Sequence, residues 1–217
     1  MELSHLKELK TMKSQFLQNP PVTYRAKTAH VYTGLAVLVA VIVLVALAIK
    51  GGPQALLTRG WAVLFVAYAV WYLLGRPCIV VDRDEVTVMN PFATHRVGYA
   101  ALVDVSTRYH LTLVTPTRSI QAFGLPAGGM VASLTAHRQE LRNLPAITYG
   151  AEKTLRTSDL PNSSAGAVAL VLRGYWQELV EAGALEGSEP TQTVDADVRG
   201  IALFALLACA AVVGLTI

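Results

Sequence analysis

The sequence predicts a protein of mixed class: an α-helical membrane anchor joined to a small α+β domain. Three observations predict it. Residues 31–49, 60–74 and 200–217 contain no charged side chain. Between the second and third of these stretches, residues 78–123 switch to short alternating apolar and polar runs broken by turn formers. One amphipathic helical pattern follows over 164–184. The expected architecture is a two-span helical hairpin, a small antiparallel sheet or barrel with a C-terminal helix, and a third transmembrane helix.

Residues 1–30 read as a polar tail, with five Lys/Arg against two Glu. Leu3, Leu6, Leu9 and Met12 repeat every three residues. That spacing drifts around a helix, so a loosely ordered tail is the default and a helix lying on the membrane the alternative. Arg25 and Lys27 stand just before the first apolar run, where cations meet lipid headgroups.

Residues 31–74 are expected to form the hairpin. The first run has 19 residues, enough for a hydrocarbon core of about 30 Å at about 1.5 Å per residue. Its length and the 30 residues before it argue against a cleaved signal peptide. Lys50-Gly51-Gly52-Pro53 supplies the turn: glycine permits sharp bending, and proline suits the start of the next helix. The second run extends to Ala55 if Arg59 snorkels. Trp61, Trp71, Tyr72 and Arg76 are candidate membrane-interface residues, because amphipathic aromatics and cations settle at headgroup level.

Residues 75–187 form the expected domain, with a sheet at 78–123, an insertion at 124–163 and a helix at 164–184. Strands are expected at 78–81, 85–89, 94–97, 102–107, 111–114 and 119–123. Val86 and Val88 should point inward, as should Val103 and Val105. Within the insertion, 131–142 is weakly helical. In the helix, Val168, Val171, Leu172, Tyr175 and Leu179 share a face that the sheet should cover. Residues 188–199 read as an acidic linker. In the last run, Ala205, Cys209, Ala210 and Gly214 are candidate helix-packing residues, since small side chains let backbones approach.

Arg76-Pro77, the strand pair after it, and Arg96-Val97-Gly98-Tyr99-Ala100-Ala101-Leu102-Val103-Asp104-Val105 resemble the bacterial pleckstrin-homology-like (PH-like) membrane proteins of actinobacteria. Tryptophan is usual in that family where Tyr99 stands, and Thr115-Pro116-Thr117-Arg118 replaces its usual Asp-Gly-Arg hairpin. The resemblance covers residues 24–123. It implies a half-open PH-like barrel capped by the 164–184 helix. The long stretch between Phe123 and Ser164 and the third span depart from the family pattern.

Chemistry is hard to find in this chain. There is no His-Glu-x-x-His, Gly-x-Ser-x-Gly, phosphate loop or Cys-x-x-Cys. His5, His30, His95, His110 and His137 are scattered, and Asp82, Asp84 and Glu85 occupy a turn that aspartate favours. The apolar runs carry none of the charged groups that ion pathways need. Residues 75–199 hold 11 Lys/Arg against 13 Asp/Glu, which gives no footprint for nucleic acid. Inositol phosphates need a basic first hairpin, and this one reads Asp82-Arg83-Asp84-Glu85.

The expectation is therefore a non-enzymatic, multi-pass protein of the plasma (inner) membrane without cofactor. Its PH-like domain would be a protein-binding or assembly module, as in an accessory subunit of a larger membrane complex. The alternative is a peripheral lipid-sensing adaptor. Expected partners are membrane lipids and other membrane subunits. Lys13, Arg25 and Lys27 outweigh Lys50 and Arg59, so the N-terminus and the domain are expected to be cytoplasmic.

Overall fold

Glycine decides where the first apolar run turns. In the computed structural model, which describes residues 14–107, 110–126 and 164–217, helix α1 (Lys27–Val70) breaks at Gly52. Gly52 has φ +65° and ψ −168°, a conformation open to glycine and strained for other residues. Pro53 then begins the second arm. The arms fold back on each other. A Cβ placed on Gly60 would lie 3.5 Å from Leu44, although a straight helix would separate the two by about 24 Å. Gly75 likewise abuts Thr33. A π-helical turn (Trp71–Gly75) ends the second arm.

Two antiparallel sheets follow. Strands β1 (Val22–Tyr24), β2 (Cys78–Val81), β3 (Glu85–Met89) and β4 (Ala93–Gly98) lie side by side, with β8 (Gln192–Ala196) along the other edge of β4. Strands β5 (Asp104–Ser106), β6 (His110–Val114) and β7 (Ser119–Pro126) form the second sheet. Tyr24 pairs with Ile79, Cys78 with Met89, Met89 with Thr94 and Ala93 with Ala196. These registers bring the chain ends that lead to and from the helices to one end of the first sheet. The Asp82–Glu85 turn lies at the other end.

The six strands expected from alternation are present within a residue or two at most ends, apart from a later start at β5 and a longer β7. Val86, Val88, Val97, Val105, Leu111, Leu113 and Ile120 are buried between the sheets. Helix α2 (Ser164–Glu181) adds Val168, Leu172, Tyr175 and Leu179 to the same core. Arg173 on α2 donates from Nε to the Val105 carbonyl at 3.0 Å.

Several expectations need correction. The described strands form two antiparallel sheets: a 3₁₀ turn (Tyr99–Ala101) separates β4 from β5, and no ladder joins them among the described residues. That turn also shifts the inward phase: Tyr99, Ala101 and Leu102 are buried, while Val103 is 54% exposed. The described part of the polar tail, residues 14–30, is packed on the domain and continues into helix α1. Leu17 is buried, Phe16 packs against Gly174 of α2, and β1 extends the sheet. The acidic linker contains β8, which is held by pairing with β4. The pattern at Leu3 to Met12 and the stretch 131–142 lie outside the described residues.

Helix α3 (Val198–Thr216) packs antiparallel to the second arm of α1. Tyr68 Oη donates to the Gly200 carbonyl at 3.2 Å, Phe204 meets Phe65 at 5.1 Å, and Gly214 sits against the Thr58 carbonyl. Residues 28–75 and 198–216 are both long and apolar enough to cross a membrane.

Candidate functional site: the junction of sheet and helices

Three chain segments reach the helix-facing end of the sheet with almost no slack. Two residues separate β1 from α1, two separate the π-helical turn from β2, and one, Asp197, separates β8 from α3. Asp197 is also the N-cap of α3: its Oδ1 accepts from the Gly200 amide at 3.2 Å. Its own amide donates to the Phe92 carbonyl at 2.9 Å, which ties the β8–α3 junction to the β3–β4 turn.

The other carboxylate oxygen of Asp197 collects two donors from the end of the hairpin. Tyr72 Oη donates to Oδ2 at 3.0 Å, and Arg76 Nη2 lies 3.0 Å from the same atom. Arg76 Nη1 donates to the carbonyls of Asn90 and Pro91 at 2.9 and 2.8 Å, and its guanidinium lies 5.4 Å from the centre of the Tyr72 ring. One cation and one anion thus meet half-buried, with further hydrogen bonds to neighbouring backbone and tyrosine. Those are the conditions under which a desolvated ion pair is stabilising. Around them Tyr72 stacks on Tyr68 at 5.5 Å and meets Phe92 edge-on at 5.8 Å, and Phe204 closes the cluster.

The interface residues expected from sequence divide accordingly. Trp61 and Trp71 are exposed at 42% each. Arg25 is exposed and donates to the Arg76 carbonyl at 3.4 Å, and Lys27 opens α1. Tyr72 does not sit at the surface: it is fully buried, because Asp197 gives its hydroxyl a partner inside the junction. Arg76 is held in the same cluster. On α3, Gly214 faces the hairpin and Ala210 is half-buried, but Ala205 and Cys209 point away from it. The contact face runs through Phe204, Ala208, Ala211 and Gly214, a phase set by the Phe65 and Thr58 contacts. Sequence reasoning missed Asp197, although an aspartate directly before an apolar helix is a capping signal.

Two further surfaces belong to this end of the molecule. An open groove of about 580 Å³ runs between the arms of α1, floored by Ala36, Ala40, Ala62 and Ala67 and walled by Val39 and Val66. A second cavity of about 420 Å³ opens beside the junction, next to Phe92 and Leu73. At the far end, Tyr99 Oη donates to the Asp82 carbonyl at 2.8 Å and Tyr175 Oη to the Arg83 carbonyl at 3.1 Å. Burial raises the pKa of both tyrosines, that of Tyr175 to about 12. Both therefore stay protonated and donate to the backbone of the acidic turn. Among the described residues no three His, Cys, Asp or Glu side chains group as metal ligands.

Residues 76–160 match the family model of the bacterial PH domain. The match begins at the junction arginine and takes in β2 to β7, leaving the helical hairpin and α2 outside it. No curated protein and no solved structure shows significant similarity to the chain.

Proposed function

We propose that this chain, which carries a bacterial PH-like domain, is a non-enzymatic membrane protein that holds the domain against the bilayer as a binding and assembly platform. In this reading the arms of α1 and helix α3 cross the membrane, and the domain and N-terminus lie on the cytoplasmic side. The observation that carries the reading is the junction. The domain is not tethered: β1, β2 and β8 pass into apolar helices through one or two residues, and the Tyr72–Arg76–Asp197 cluster locks the remaining freedom. A linker of two residues reaches only about 7 Å, too little for the domain to turn over. Such a platform presents its surfaces at fixed height and orientation, which suits a subunit docked into a larger complex.

The groove between the arms supports the assembly role. Its alanine floor permits close approach of another helix, and small residues mark helix contacts in lipid. The far-end turn, with three carboxylates and one arginine, supports a protein rather than an inositol phosphate as the domain's partner.

Two measurements test the reading. Carbonate washing of membranes should leave the chain in the pellet, and release into the aqueous fraction overturns the membrane assignment. Gentle detergent extraction should give a protein mass above the 23.3 kDa of one chain. A photo-crosslinker at Val39 should then join the chain to a second membrane protein. A solitary monomer with no crosslink overturns the subunit role.

A further inference from the structure

Among the described residues, every outer strand edge of the two sheets but one is short or capped. β1 has three residues. On β5, the Val105 carbonyl accepts from Arg173. On β7, the Asn90 side chain donates to the Gln121 carbonyl at 2.8 Å and accepts from the Phe123 amide at 2.9 Å. The outer edge of β8, five residues long, remains. The Gly98–Thr191 and Asp197–Phe92 bonds fix its phase: Thr193 and Asp195 bond to β4, and the N–H and C=O of Gln192, Val194 and Ala196 face outward. The strand has neither the Lys nor the Pro that discourages an added strand. Asp195, its one charge, is bound to Arg96 at 2.9 Å, on the face away from His95.

The inward side of this edge holds polar atoms without partners. Val194 pairs with His95 and Gln192 with Val97, so these side chains share the face turned to the second sheet. His95 Nδ1 and Gln192 Nε2 are both buried and make no hydrogen bond. Gln192 Oε1 accepts from the Thr117 hydroxyl at 2.7 Å, which seats the β6–β7 hairpin against the start of β8. Arg118, the next residue, has a guanidinium with no ion pair or hydrogen bond among the described residues. The cavity of about 420 Å³ runs from Arg118 past His95 to Phe92, and no carboxylate lines it. Val194 and Phe92 are 41% and 49% exposed.

We infer that β8 accepts an extended acidic segment of another protein as an added antiparallel strand, with a carboxylate of that segment on Arg118. The backbone of the segment pairs with Gln192, Val194 and Ala196, as in other strand additions. Side chains opposite these three residues fall on the inward face. Those opposite Ala196 and Val194 cover Val194 and Phe92. The one opposite Gln192 reaches Arg118 and Gln192 Nε2. Read from its N-terminus, the segment is therefore apolar-x-apolar-x-acidic. A second copy does not supply it through its own β8. Antiparallel pairing of β8 with β8 would point the two α3 helices in opposite directions, and in the proposed topology both enter one membrane. A free anion would neutralise Arg118 and leave the backbone edge unpaired. The inference gives the partner chemistry for the binding role proposed for the domain, and rests on that role.

The test uses the full chain in phosphatidylcholine nanodiscs and the labelled peptide Thr-Val-Thr-Val-Thr-Glu-Thr, read by fluorescence polarisation and amide hydrogen exchange. Peptide should slow exchange at Val194 and Ala196 by about tenfold or more and leave Thr193 and Asp195, already bonded to β4, unchanged. Replacing the peptide's Glu by Gln should weaken binding about tenfold, the scale of one charge-assisted contact. Arg118→Ala should erase that difference, and Arg83→Ala should keep it. Val194→Pro removes an N–H of the open edge and should abolish binding while Thr193 and Asp195 stay protected. A peptide N-methylated at its second Val spoils the same pairing without touching the chain and should also fail to bind. Unchanged exchange at Val194 and Ala196 with millimolar peptide overturns the inference. So does binding of the N-methylated peptide, or a Glu-over-Gln preference that survives in Arg118→Ala. Equal slowing at Val194 and Ala196 by phosphatidylglycerol alone overturns it in favour of a lipid. The Val39 crosslink reads the assembly role separately: its loss with peptide protection intact removes that role and upholds the β8 site, and the reverse result removes the β8 site alone.

Discussion

Removing Asp197 should loosen the domain from its helices, and the size of the effect follows from what the carboxylate holds. In Asp197→Ala three partners lose their acceptor: the Gly200 amide, the Tyr72 hydroxyl and the Arg76 guanidinium. The cap alone is worth about 1 kcal/mol. Breaking a fully buried ion pair costs about 3–5 kcal/mol, mostly through the charge left behind. Here both side chains retain 21% exposure, and Arg76 keeps the Asn90 and Pro91 carbonyls. The stranded charge is therefore partly solvated, and the total falls at the lower end, about 3 kcal/mol. Asp197→Asn keeps one acceptor oxygen, enough for the Gly200 cap, but turns an NH2 donor towards Tyr72 and Arg76 and loses the charge, so it should cost less than Asp197→Ala, about 2 kcal/mol. A double-mutant cycle of Asp197→Asn with Arg76→Met should return a coupling of about 1–2 kcal/mol. Reversible unfolding in mixed micelles, followed by tryptophan fluorescence, measures all three. Hydrogen exchange should also rise at residues 192–196, because β8 is anchored at one end by Asp197. A loss below about 0.5 kcal/mol in Asp197→Ala, with no coupling to Arg76, would refute the claim that this cluster fixes the domain.

Other substitutions probe the remaining contacts. Gly214→Ala places a methyl group against the Thr58 carbonyl and should separate α3 from the hairpin, costing about 2 kcal/mol in the same unfolding assay. Leu172→Ala empties a fully buried position where α2 meets the sheets and should cost about 3 kcal/mol. Tyr175 has a folded pKa of about 12 against an ordinary 10.0, raised by burial. A raised pKa means that the stability tied to the protonated form is complete below pH 10 and is lost as pH climbs towards 12. Ultraviolet titration should show late-ionising tyrosines, Tyr99 and Tyr175 among them, and Tyr175→Phe should reduce that late amplitude by one; an unchanged late amplitude would contradict the buried hydroxyl contact to Arg83.

The central strands were legible because each has one buried face. In β3, Val86 and Val88 alternate with half-exposed Glu85, Thr87 and Met89, and that alternation is written in the residues. The edge strands carry no such signal. Only the first residue of β8 is even half-buried, so its sequence, Gln-Thr-Val-Asp-Ala, has no reason to alternate. It becomes a strand through backbone bonds to β4, a partner about 100 residues away. Val22–Tyr24 is shorter still, at three residues, and is recruited by β2. The face of α3 was hidden for the opposite cause. A helix apolar all round has no phase of its own, so Ala205 and Cys209 looked as suitable as Gly214 until Phe65 and Thr58 supplied the contacts. The Tyr72–Asp197 bond spans 125 residues, and no local pattern announces a pairing at that distance. What could be read locally was the capping aspartate and the Arg76-Pro77 boundary.

The two edge strands explain why the domain and the helices should be treated as one mechanical unit. An exposed sheet edge invites pairing with other chains, and here the segments bordering the helices cover both edges of the β2–β3–β4 sheet. The same residues that protect the sheet also carry force between it and the helices. A pull on the far end must break ladder bonds in β1 or β8, or the Asp197 cluster, before the domain can tilt. A partner bound there would therefore bias the packing of α3 on the hairpin without any flexible hinge. That coupling needs both strands: deleting the pairing of β8 alone should leave the sheet folded on its β1 side while freeing α3, which separates mechanical attachment from folding.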